Sequence, residues 1–88
     1  MNNFDESLTL AAALRRRRAE LGHSQRDAAL ILDSTFKNIA IWESGSIPTA
    51  QFFQAIQDYL DIERAQLGLL FINSAYERAH LLSLRRAN

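Results

Sequence analysis

The chain has 88 residues, enough for one modest core and too few for a deep enzyme cleft with its own scaffold. Hydrophobic residues make up 48%, which places it with globular rather than disordered sequences. Cysteine is absent, so disulfides and thiolate metal sites are excluded, and 10 basic residues against 10 acidic ones leave no net charge.

The chain opens on Met1 to Glu6, an acidic and polar stretch unlike a signal peptide. A first helix is predicted to start between Asp5 and Ser7, either of which can cap it. Leu10, Leu14 and Leu21 recur at helical spacing with Arg18 on the same face, and Gly22 stops the helix. Within it, Arg15 to Arg18 form an unbroken basic run. The run reads as a phosphate clamp or as a solvated face, except that the spacing of Arg18 aims it at the core.

Ser24 caps a second predicted helix, and Asp27 three residues on completes an approximate capping box. That helix runs through Ala28, Ala29 and Leu32, and Asp33 and Ser34 make a turn, Asp being tolerant of a left-handed backbone. Thr35 caps a third helix over Phe36 to about Glu43, with Ile39 and Trp42 on one face, ending at Gly45 before Pro48. Thr49 caps a fourth, with Phe53, Ile56 and Leu60 inward and Asp61 and Ile62 as a link. The fifth, about Arg64 to Arg86, is the longest. Leu67, Leu70, Phe71, Ala75, Ala79 and Leu82 form its stripe, widened by Leu69, Ile72 and Tyr76 beyond what one monomer face needs. No apolar run approaches the ~20 residues of a membrane span.

Two short helices joined by a tight turn, the second opening at a capping Thr, form a helix-turn-helix arrangement. Arg18, Gly22, Ser24-Gln25, Ala28-Ala29, Leu32, Thr35, Ile39, Trp42-Glu43, Gly45 and Pro48 stand in an order that resembles the Cro/cI-type (Xre-like) helix-turn-helix family. Phe53, Ile56, Leu60, Ile62 and Leu67 extend the match, which covers roughly Leu10 to Leu67. The resemblance implies an all-α, five-helix, Cro/cI-repressor-like domain over residues 1–88, with its helix-turn-helix at about 24–43 and a long C-terminal helix at about 64–86.

It also implies roles. Gln25 matches a glutamine that touches the DNA backbone and braces the recognition helix. Thr35, Phe36, Lys37, Asn38, Ala40 and Ile41 match positions on or near the groove-facing surface, and Ser44 a backbone contact after it. Arg18 and Glu43 match a buried salt bridge between the first and third helices. Ser24 and Arg16 join the expected phosphate contacts. The sequence departs from the family at Ala28 (usually Leu), Asp33 (usually Gly), Leu30 and Ile31 (usually polar), and at Phe36, Ala40 and Ile41, which replace polar readers. Phe36 and Ile41 fit thymine methyl groups, packing against the protein, or a protein-binding surface; Phe36 with Lys37 is assigned to DNA, and Ile41 stays open.

His23 and His80 are isolated and are expected at the surface, without the further ligands a metal needs. No carboxylate pair, Gly-rich loop or Ser-His-Asp grouping points to catalysis. The expectation is therefore a cytoplasmic DNA-binding transcriptional regulator, not an enzyme, with no cofactor, no metal and no membrane association. A repressor on a palindromic operator is the simplest form, dimeric through Leu69, Ile72 and Tyr76 of the last helix. The competing expectation is a protein-interaction module or antitoxin, partnered by a toxin or another regulator, that keeps the fold with weak DNA reading.

Overall fold

A computed structural model describes residues 4–86. Of the expected 1–88 domain, residues 1–3 and 87–88 lie outside the described residues. The described residues form five α-helices: α1 (Leu10–Leu21), α2 (Gln25–Ile31), α3 (Phe36–Glu43), α4 (Phe53–Leu60) and α5 (Arg64–Arg86), with one 3-10 turn (Ala50–Phe52) before α4. The all-α class and the long last helix agree with the sequence expectation. No helix among the described residues is long and apolar enough to cross a membrane.

Helix α1 is the central element, packing against α3, α4 and α5, while α2 packs on α3. The core gathers Leu10 and Leu14 of α1, Ala28, Ala29 and Leu32 of the second helix and its end, Ile39 and Trp42 of α3, Ile56, Tyr59 and Leu60 of α4, and Leu67 and Leu70 of α5. Leu10, Ile39, Ile56 and Leu70 are almost wholly enclosed. Each such side chain contributes about 1.5–3 kcal/mol relative to exposure. Aromatic contacts close the rim: Trp42 meets Phe52 edge-on at 4.9 Å between centroids, and Phe53 meets Phe71 at 4.7 Å.

Several local expectations change in the folded chain. The cap of α1 is Thr9, whose hydroxyl accepts from the Ala12 N–H, not Asp5 or Ser7. Asp5 is already engaged, its carboxylate accepting from the backbone N–H and hydroxyl of Ser7. Leu21 lies at the exposed end of α1 rather than in the core. Thr49 precedes the 3-10 turn and makes no side-chain cap bond, so α4 proper begins at Phe53. On α5 the inward stripe ends at Ser74. Ala75, Ala79 and Leu82 are exposed because the other helices no longer reach that far.

That end point is built from polar groups. The buried Ser74 hydroxyl accepts from the Leu10 N–H at 3.0 Å and donates to the Leu70 carbonyl at 2.7 Å. Leu10 is the first residue of α1, where a helix leaves its N–H groups without intrahelical partners. Ser74 therefore caps α1 from another helix, alongside Thr9. Next to it, the Asn73 side-chain amide donates to the Glu6 and Leu8 carbonyls and holds the preceding arm onto α5. Ser74→Ala should strand the buried Leu10 N–H and cost about 1–3 kcal/mol. Exposed Ser83→Ala should cost almost nothing. Chemical denaturation of both variants decides it, and equal midpoints would show that the Ser74 bond carries no weight.

Candidate nucleic-acid interface

The turn between α2 and α3 is set by local chemistry. Ser24 and Asp27 form a reciprocal capping box: the Ser24 hydroxyl accepts from the Asp27 N–H and the Asp27 carboxylate from the Ser24 N–H. These bonds hold the Asp27 carboxyl below its ordinary value. At the other end of α2, Asp33 takes φ 50°, the left-handed conformation that glycine usually supplies. The Ser34 N–H then returns to the Ala29 carbonyl at 2.8 Å and closes the helix end. Thr35 caps α3 by accepting from the Asn38 N–H at 3.1 Å.

At roughly 100° per residue, α3 divides cleanly. Ile39, Trp42 and Glu43 are buried, and Asn38 is half-buried with its amide donating to the Ser34 hydroxyl. Phe36, Lys37, Ala40, Ile41 and Ser44 fall on one contiguous outward arc, with Ala40 half-buried between Phe36 and Ser44. The Ser44 hydroxyl donates to the Ile41 carbonyl. Phe36 does not pack against α5; the Arg26 guanidinium of α2 lies over its ring, 4.8 Å from the centroid. Arg26 is a residue the sequence reading did not single out, because its partner lies ten positions along a second helix.

Beneath this face lies Glu43. Its carboxylate accepts from Arg18 Nε at 2.8 Å, from the second Arg18 nitrogen at 2.9 Å and from the Gln25 amide at 3.2 Å. The side chain of Glu43 is 5% exposed and that of Arg18 23%. Burial pushes the Glu43 carboxyl up, but the bonds from Arg18 and Gln25 and the charges of Arg18 and Arg15 outweigh it and leave it below its ordinary value. Gln25 is thus bound to the end of α3 rather than free in solvent.

Three of the four arginines in the run donate to protein oxygens, although Arg15 and Arg16 stay exposed. The Arg15 guanidinium donates to the Glu43 carbonyl, Arg17 Nε donates to the Tyr59 carbonyl at 2.9 Å, and Arg18 also donates to the His23 carbonyl at 3.1 Å. Arg16 faces away from α3, pairing with Glu20 at 3.4 Å beside a groove lined by Asp61 and Ile62. It does not join the other candidate contacts. His23, expected at the surface, is half-buried with its Nδ1 3.0 Å from the Tyr59 hydroxyl. Among the described residues no group of three or more His, Cys, Asp or Glu is placed to hold a metal ion.

A family model described as helix-turn-helix matches residues 14–67. The chain belongs to the Cro/cI-type helix-turn-helix family. The helix-turn-helix match points to a DNA-binding regulator, and the matched span contains α2, α3 and the whole Glu43 cluster. No curated protein and no solved structure matches the chain significantly.

Removing Glu43 strands Arg18 and frees α3 at its end. Glu43→Ala should cost about 3 kcal/mol, the low end for a buried pair because Arg18 keeps some solvent. Exposed Glu63→Ala should cost far less. A folded carboxyl held below 4.5 contributes stability that is complete above that value and lost as pH falls through the folded one. Melting temperature should accordingly drop below about pH 4.5 in the wild type, and Glu43→Gln should flatten part of that drop. Identical acid limbs in the two proteins would show that Glu43 is not the titrating group.

Proposed function

We propose that the chain is a sequence-specific, double-stranded-DNA-binding transcriptional regulator, a repressor that acts in the cytoplasm as a homodimer on a palindromic operator. It works by occupancy rather than catalysis and uses no cofactor. The outward arc of α3 carries this reading. The arc is one helix wide, as the major groove requires, and the Glu43 cluster behind it holds it at a fixed angle. Phe36, Lys37, Ala40 and Ile41 meet base edges, with Asn38 bracing the turn behind them. Lys37, Ser24, Gln25, Thr35 and Ser44 lie at the rims, where phosphates run. Arg16 is left out, since it lies with Glu20 away from this surface.

The dimer is assigned to α5. Leu69, Ile72 and Tyr76 are exposed, Tyr76 at 75%, while Leu67 and Leu70 face the core. With Ala65 and Ala79 they follow the alternating four-and-three spacing of a helix–helix seam. A second copy of α5 related by a two-fold axis covers that seam and sets two α3 helices about 34–36 Å apart, one DNA turn.

The alternative is an adaptor or antitoxin that binds a protein instead. Leu30, 83% exposed, and Ile31 on α2 favour it, as does the zero net charge. Titration with duplex DNA at increasing salt separates the two. Regulator binding should weaken steeply, by about 0.9 in log affinity per log salt for each neutralised phosphate. A chain that ignores duplex DNA even at low salt is the adaptor. Ile72→Lys with Tyr76→Lys should turn a dimer in light scattering into a monomer and reduce operator affinity by orders of magnitude. A double variant that stays dimeric moves the interface off α5.

A further inference from the structure

Among the arginines of α1 and α2, Arg26 is used differently. Arg15, Arg17 and Arg18 give their N–H groups to protein oxygens, and Arg16 pairs with Glu20. Arg26 enters no salt bridge among the described residues, and its guanidinium instead lies over the Phe36 ring. A basic side chain in the first turn of α2 sits at the positive end of that helix, where an acid is favoured. Arg there is unfavourable for the helix itself.

Resting on the DNA-binding reading above, we propose that Arg26 and Phe36 together form a composite base reader. The guanidinium takes the O6 and N7 edge of a guanine in the major groove, and the exposed rim of the ring takes the methyl group of an adjacent thymine. Three observations carry this. The guanidinium carbon lies 4.8 Å from the Phe36 ring centroid and the group enters no salt bridge among the described residues, so its N–H donors remain for the bidentate fork that matches guanine. Phe36 opens α3 on the outward arc, so the contact places the Arg26 guanidinium beside that arc. Ala40, one turn further on, presents only a methyl group, which leaves a notch beside the ring for a base edge.

Selection of bound sequences from random duplex DNA, with affinities measured at several salt concentrations, tests the assignment. The wild type should enrich a guanine next to a thymine. Arg26→Lys keeps the charge and loses the planar fork, so it should weaken the guanine preference at that position and keep the salt slope. Arg26→Ala should weaken guanine-bearing sites about 10- to 100-fold and substituted sites little. Phe36→Leu should relax both neighbouring positions. If Arg26→Ala weakens every sequence alike and lowers the salt slope by about one, Arg26 is a phosphate contact and the assignment fails alone. An undiminished guanine preference in Arg26→Ala overturns it equally. A wild type that binds no duplex removes the regulator reading and this one together.

Discussion

Three guanidinium groups from one stretch of α1 hold the molecule in register. Arg15 and Arg18 reach the end of α3, one through the Glu43 carbonyl and one through its carboxylate, while Arg17 reaches the Tyr59 carbonyl in the last turn of α4. Helix ends leave carbonyls without intrahelical partners and carry partial negative charge, so a cation is favoured there on both counts. Glu43 adds a full charge that would be costly at 5% exposure without a two-point partner. Hydrophobic contacts among Leu14, Ile39 and Trp42 bring α1 and α3 together. The polar clamp then restricts how α3 can rotate, because a fork-to-carboxylate contact tolerates little change in angle.

Spending the arginines internally has a consequence for charge. A run of four suggests a basic face, but Arg18 is paired with Glu43 and Arg16 with Glu20, while exposed Arg15 and half-buried Arg17 are bonded to backbone carbonyls. Long-range attraction to an anion therefore loses Arg16 and Arg18 to ion pairs and rests on Arg15, Arg17, Lys37 and Arg26 in this part of the molecule. A neutral chain with few free cations depends more on contact geometry than on bulk attraction, which raises the importance of each side chain on the α3 arc.

Much of this was legible in the residues, and the division is physical. Caps with short-range partners read well: Ser24 with Asp27, Thr35 with Asn38, and Asp33 in the left-handed turn all depend on neighbours within three positions. The Arg18–Glu43 contact spans 25 residues and came through the family resemblance, since nothing local announces it. Contacts without a local or family signature were missed. Asp5 and Ser7 are an exception at short range: each is chemically able to cap, but they bond each other two positions apart and leave the cap to Thr9. Ser74 to Leu10, 64 residues apart, and His23 to Tyr59, 36 apart, exist only once α5 and α4 are docked. On α3 the inward face of Ile39 and Trp42 was readable from periodicity and the outward residues came through the resemblance, whereas the contact of Arg26 with Phe36 was readable from neither.

The two halves of α5 meet different demands. Its first half serves the monomer: Leu67 and Leu70 fill the core, Phe71 meets Phe53, and Ser74 completes the start of α1. Beyond Ser74 every described residue of the helix is exposed, including Tyr76, Leu81, Leu82 and Leu84. A free helix of about twelve residues is marginal in water, so this half draws its order from continuity with the docked half. The junction is well braced, because Ser74 ties α5 to the first turn of α1, and α1 in turn carries the arginine clamp on α3. A load applied to the outer half of α5 therefore meets a continuous path of hydrogen bonds and packed side chains to the end of α3, with no flexible linker between them. An α5-mediated pairing of two chains on such a frame would fix the spacing of two α3 helices as a rigid property of the fold.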